Sequence, residues 1–150
     1  MTKKLNFLIV CADFYKEIAD SMLDEAKKYL NLKGHSYEVY RVNGSFEIPT
    51  LISLHSEGEL RNYDGIISLG CIIRGETKHF DFISSAIMHA ILSLSKDKRI
   101  PIGNGILTCE NMDQVKARYE KKPVEIRIAS ILLFSCDVLG ALPAGHVRAV

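Results

Sequence analysis

The sequence predicts a three-layer α/β/α sandwich on a central four-stranded parallel sheet, in a single domain over residues 1–150. Two observations predict it. Short runs that are apolar almost without interruption recur along the chain, as strands buried on both faces of a parallel sheet require. Between them lie longer segments whose apolar residues return at helical spacing. Strands that alternate with helices demand parallel pairing through right-handed crossovers. A chain of 150 residues is long enough to bury such a core without covalent staples.

Leu5 to Cys11 is the first strand, and Ala12 to Tyr15 is the turn that follows it. Ile18, Met22, Leu23, Ala26 and Leu30 then mark one face of a helix reaching Leu32, and Gly34 stops it. Tyr37 to Val42 is the second strand. It leads through Asn43-Gly44-Ser45-Phe46-Glu47-Ile48-Pro49 into a helix over Leu51 to Glu57, with Pro49 suited to the opening turn. Gly65 to Leu69 is the third strand. It loosens at Gly70 and Gly75 and gives way to an apolar helix over Ile83 to Leu94, capped by Thr77 or by Asp81. Lys96 to Arg99 reads as a solvated turn. Ile100 to Thr108 is a fourth strand, and Pro101 argues for an early or edge position because a central proline loses a ladder hydrogen bond. Glu110 to Tyr119 is a helix with Met112, Val115 and Tyr119 on one side; Val124 to Val138 is a last apolar helix before a tail. The expected strand order is flavodoxin-like.

Composition excludes several function classes. Nineteen basic and eighteen acidic residues are dispersed along the chain, giving a net charge of +1, so no nucleic-acid partner is expected. No apolar run approaches the roughly 20 residues of a membrane span, so no membrane partner is expected either. Lys3-Lys4 before Leu5 to Ala12 faintly imitates a signal peptide, but the run is short and Asp13 interrupts it. Cys11, Cys71, Cys109 and Cys136 form no CxxC pair and read as reduced core thiols of a cytoplasmic protein. The five histidines show no metal-ligand spacing, so the expected metal set is empty.

In parallel α/β sheets ligands bind beyond the carboxyl ends of the strands. The unusual residues fall there, in four groups: Asp13-Phe14, Gly44 to Glu47, Cys71 to His79, and Asn104 to Thr108. The third group places Arg74, Thr77, Lys78 and His79 just before a helix. Early helix amides lack intrahelical partners and the dipole favours negative charge, so this is the makings of an anion site. His79 titrates near neutrality and suits proton transfer, although a lone histidine is also common surface furniture. Phe14 can stack on a planar ring or staple the next helix. Gly44 to Glu47 offers amides and a carboxylate, a fit for a polyhydroxylated chain, although Glu47 serves equally as a helix-start acid. His89 reads as structural. Arg118 either complements its helix dipole or reaches a phosphate in a neighbouring subunit. Neither GxGxxG nor GxxxxGK[ST] occurs, which removes the usual nucleotide fingerprints.

Gly44-Ser45-Phe46-Glu47-Ile48-Pro49 and Gly70-Cys71-Ile72-Ile73-Arg74-Gly75-Glu76-Thr77-Lys78-His79-Phe80-Asp81 resemble the two signature motifs of the lumazine synthase family. Ile100 to Thr108 with Glu110, Asn111, Gln114 and Arg118 follows the family's later pattern, and Phe14 falls where its stacking aromatic falls. The resemblance runs from Leu5 to Arg118; the second motif is long and specific, whereas the first alone is weak. It implies condensation of 5-amino-6-(D-ribitylamino)uracil with 3,4-dihydroxy-2-butanone 4-phosphate, releasing phosphate and water, with no cofactor and no metal. By the same resemblance Phe14 stacks on the pyrimidine, and Ser45, Phe46 and Glu47 hold the ribityl chain. Cys71, Ile72 and Ile73 line the ring, while Glu76 and Thr77 bind phosphate opposite Arg118 of an adjacent subunit. His79 moves protons. The implied partners are small-molecule substrates and further copies of the chain, in at least a pentamer with sites between subunits. A functional link to riboflavin synthase is implied as well.

Two departures from the family pattern stand out. Asn104 occupies a place where the family often has an aromatic that stacks from the second subunit. After Arg118 the usual lysine-glycine segment is poorly matched, which leaves open whether Lys121 or Lys122 replaces the missing lysine. A flavodoxin-like binding module without turnover and a shell protein without chemistry are the other two readings. Arg74, Thr77, His79 and Arg118 argue against both, since a scaffold has no need of them.

Overall fold

Asn6–Ala12 (β1), Ser36–Val42 (β2), Gly65–Ile73 (β3) and Ile102–Cys109 (β4) pair in parallel in the spatial order β2-β1-β3-β4. This computed structural model describes the backbone of residues 3–121 and the side chains of residues 3–118. The helices are Lys16–Leu32 (α1), Glu47–Leu54 (α2), Glu57–Leu60 (α3), His79–Lys98 (α4) and Met112–Lys121 (α5). The order is that of a flavodoxin-like sheet, as the alternation of elements predicts.

Phe7, Leu8, Ile9, Val10 and Cys11 are all fully buried, so β1 is covered on both faces. The alternation of its side chains assigns them to two cores. Phe7, Ile9 and Cys11 pack with Leu69, Cys71, Leu107 and Cys109 against Met22, Leu23 and Ala26 of α1 and Val115 of α5. Leu8, Val10 and Ala12 pack with Ile66 and Ile106 against Ile48 and Ile52 of α2, Leu60 of α3, and Ile87 and Ile91 of α4. These are the three layers.

Several boundaries differ from the sequence reading, each for a local reason. The second helix starts at Glu47, with Pro49 as its third residue, where a missing N–H has no intrahelical partner to lose. It stops at Leu54, and a capping box at Ser56 and Glu59 starts the separate α3. β3 does not loosen at Gly70. It runs on to Ile73, paired residue by residue with β4 as far as Ile73 opposite Cys109. Lys96 to Lys98 belong to the last turn of α4, which closes on Arg99 in the left-handed conformation at φ 52°. His89 is exposed on α4 rather than part of the core. β4 is an edge strand among the described residues, and Pro101 lies just ahead of it. The helix expected over Val124 to Val138, the tail and Cys136 lie outside the described residues.

Candidate active site

The chain leaves β1 for β2 on one side and later places β3 on the other, so the crevice at their carboxyl ends is the topological switch point. Three loops border it, following β1, β2 and β3. Asp13 donates its backbone N–H to Val42 O at 2.8 Å, joining the first two loops at their roots.

Phe14 is 73% exposed, and its ring meets that of Tyr15 edge to face at a centroid distance of 5.0 Å. It is not packed as a staple for α1. The neighbouring Asp13 is held by Arg41 from β2, Nη1 to Oδ1 at 2.8 Å, while Nη2 of the same arginine reaches Asp20 of α1 at 2.6 Å. This arginine holds the Asp20 carboxyl below the usual range. The β1–α1 turn is therefore tied to the second strand and to its own helix.

Ser45 is buried and Phe46 is 57% exposed. A side chain on Gly70 would collide with Ser45 Oγ, so the glycine in β3 permits a close approach of the β2–α2 loop. The Ser45 hydroxyl has no hydrogen-bond partner among the described residues. Glu47, the first residue of α2, turns its carboxylate back over Gly44.

Cys71, Ile72 and Ile73 are the last three residues of β3. Cys71 is buried and its thiol is pushed up to about 12 by burial, with a smaller contribution from Cys109. It contributes shape rather than nucleophilicity. Beyond Ile73 the loop exposes Gly75, Glu76, Thr77, Lys78 and His79. Thr77 Oγ1 accepts the His79 backbone N–H at 3.3 Å, which leaves the hydroxyl proton free to donate. His79 opens α4, and Lys78 is the N-cap without a side-chain cap.

Arg74 does not serve the loop as a free cation. Its Nη atoms lie 2.9 and 2.8 Å from the two Asp81 oxygens, and Nε lies 2.5 Å from Glu110 Oε2. Asp81 is therefore engaged by Arg74 instead of capping α4. This clamp and the one at Arg41 escaped the sequence reading, because their partners lie up to 36 residues apart.

Two expected site residues are not brought to this edge. Asn104 is the third residue of β4, opposite Ser68, five residues and roughly 17 Å short of the strand end. The sequence reading had placed it at the carboxyl end. Its Oδ1 accepts the Ile106 N–H at 3.0 Å and Nδ2 lies 2.9 Å from Met88 Sδ, so it closes part of the strand edge. Arg118 is exposed on α5, about 9 Å along the helix from its first residue. Asn111 and Gln114 cap α5: Asn111 Oδ1 accepts from Gln114 N at 2.9 Å, and Gln114 Oε1 from Glu110 N at 2.8 Å.

Comparison with known proteins decides the affiliation. The family model for 6,7-dimethyl-8-ribityllumazine synthase matches residues 4–134. The chain belongs to the lumazine synthase family. The curated 6,7-dimethyl-8-ribityllumazine synthase of Agrobacterium fabrum is 43% identical over 121 residues, 79% of this chain and 82% of the relative. The Rhizobium meliloti protein named 6,7-dimethyl-8-ribityllumazine synthase 1 is 42% identical over 119 residues, covering 77% and 78%. The Bartonella bacilliformis synthase is 43% identical over 122 residues, covering 79% and 80%. Both motifs that carried the resemblance fall within the matched span and border the crevice described above. Among the described residues no helix is long and apolar enough to cross a membrane, and no cluster of His, Cys, Asp and Glu is suited to a metal ion.

Proposed function

We propose that this chain condenses 5-amino-6-(D-ribitylamino)uracil with 3,4-dihydroxy-2-butanone 4-phosphate to 6,7-dimethyl-8-ribityllumazine, releasing phosphate and water. The observation that carries the reading is the convergence of both family motifs on one crevice, with the orphaned Ser45 hydroxyl at one side and the α4 N-terminus at the other.

Phe14, exposed beside the switch point, stacks on the pyrimidine, and Cys71, Ile72 and Ile73 line the ring with backbone groups. Ser45, the Phe46 backbone and Glu47 take the ribityl hydroxyls, which need donors and acceptors together. Glu76 amide and Thr77 hydroxyl receive the phosphate where the helix dipole favours its charge as the leaving group departs. His79, at the first residue of α4, moves protons during imine formation, phosphate elimination and ring closure. Holding both substrates in register supplies much of the remaining acceleration.

The same proposal makes the protein a cytoplasmic homo-oligomer, at least a pentamer, functionally linked to riboflavin synthase. With Arg74 paired to two carboxylates, the exposed Lys78 is the other side-chain cation that this loop offers a phosphate. Arg118, distant along α5, and Asn104, on the β4 edge, are the residues that a neighbouring copy would supply. Phe82 and Leu92 expose more than two thirds of their surface on α4, which suits coverage by such a copy.

The test is to follow lumazine fluorescence and phosphate release together from the two substrates. Matching rates in both channels support the synthase reading, and silence in both from a folded protein overturns it. For the shared site, inactive His79→Ala and Arg118→Ala proteins are dissociated, mixed and reassembled. Recovered activity supports sites built between subunits; none counts against them.

A further inference from the structure

The β3–α4 loop has little packing of its own. Gly75 to His79 are exposed, and a side chain added at Gly75 would meet nothing within 4 Å. What defines its course is the pair of ends from which it hangs. At one end Arg74 donates its backbone N–H to Cys109 O at 2.9 Å, prolonging the β3–β4 ladder by one residue. At the other end Asp81 lies in the first turn of α4, two residues after His79. The Arg74 guanidinium joins the two ends by its paired contacts to Asp81, and its Nε reaches across to Glu110 just beyond β4. Its underside rests on Phe80, 4.5 Å from the ring centroid.

We infer that Arg74 is a positioning residue: its planar fork fixes the span from Gly75 to His79 over the crevice, and the residue does not itself bind the substrate phosphate. The inference rests on the reading of this loop as the phosphate subsite. Three of the five guanidinium N–H groups already donate to carboxylates, and the ring of Phe80 occupies one face. Neutralisation is a second service. An unpaired Asp81 in the first turn of α4 would place a negative charge beside the arriving phosphate. A bidentate fork sets orientation as well as charge, and lysine, a point charge on a flexible stem, cannot reproduce it.

The experiment compares Arg74→Lys, Asp81→Asn and Glu110→Gln with the unaltered protein, varying each substrate at saturating levels of the other. A displacement of the loop by about an ångström is expected to raise KM for the phosphorylated substrate roughly 10- to 100-fold in R74K and D81N, and less in E110Q, with KM for the pyrimidine within about twofold. Millimolar methylguanidinium is expected to lower the raised KM of Arg74→Ala. Wild-type kinetics in R74K would show that charge alone suffices and would overturn the inference. An equal rise in both KM values, accompanied by a lower unfolding midpoint, would overturn it by showing a global role. Thr77→Ala is measured alongside. If it leaves KM for the phosphorylated substrate unchanged, the phosphate subsite lies elsewhere and the positioning role falls with it. If Thr77→Ala is impaired while R74K is not, the subsite stands and the positioning role alone is lost.

Discussion

Ser45 Oγ occupies the space that a side chain on Gly70 would need, so the loop after β2 rests directly on the backbone of β3. Gly70→Ala is expected to destabilise the protein by about 1–3 kcal/mol through overpacking. Adding Ser45→Ala should restore most of that loss, because the remaining neighbours, Ser45 Cβ at 3.5 Å and Ala12 Cβ at 3.4 Å, are ordinary contacts. Denaturant unfolding of the two variants decides. A double variant as unstable as the single one would place the strain elsewhere.

The same hydroxyl separates stability from binding. It is buried without a partner among the described residues, and an unmade hydrogen bond of this kind costs about 1–3 kcal/mol. Ser45→Ala alone should therefore unfold at the same denaturant concentration as the wild type or slightly higher. Its KM for the ribityl-pyrimidine should rise. A drop in stability with unchanged KM would contradict both halves of this account.

His79 is exposed at the start of α4. His79→Ala should lower turnover by roughly 10²- to 10⁴-fold with an unchanged unfolding midpoint. Turnover at the wild-type level would remove the imidazole from the mechanism.

His35 links the fold to pH. Its Nδ1 accepts the Leu5 N–H at 3.2 Å, and the ring meets Phe7 edge-on at 5.9 Å, so the native state needs the neutral imidazole. Burial holds its pKa below the usual 6.5, against a smaller opposing effect of Asp64. A histidine depressed in the fold contributes fully above the unfolded-state value and loses that contribution as pH falls toward the folded one. The stability advantage of wild type over His35→Gln should accordingly shrink as pH falls from 7.5 to 5. Parallel curves across that range would exclude the linkage.

Cys11 and Cys71 are protected thiols. Burial pushes them to about 11 and about 12, from an ordinary value near 9. At pH 8 each should alkylate about 100-fold or more slower than a free cysteine, and reach full reactivity only in denaturant. Peptide-level mass spectrometry after timed alkylation checks this. Rapid native labelling at either position would show that the strand ends open.

The strands were legible because runs such as Leu5 to Cys11 admit no other use in a chain of this size. Gly70 misled for a physical reason: a glycine in a strand marks either a break or a close approach, and only the position of Ser45 tells which. Pro49 signalled a helix start correctly but not its first residue, since the whole opening turn tolerates proline. In the site, the motif residues on the β1, β2 and β3 loops were legible from their places after strands. Asn104 was not, because its level is set by how far β4 runs on beyond it, five residues to Cys109. Arg74 read as a ligand because nothing local to it in sequence betrays Glu110 as its partner.

The all-parallel ladder has a temporal consequence. Its pairings join residues far apart in the chain: Asn6 to Ser36, Phe7 to Gly65, and Ile66 to Ile102. Contacts of such high sequence separation form slowly, since each waits on the closure of a long loop. Arg74 meets Glu110 only once the last of these strands has docked. A nascent chain still lacking β4 would thus hold most of its hydrophobic core without the Arg74–Glu110 contact, so the β3–α4 loop gains its full anchorage at the end of folding and not before.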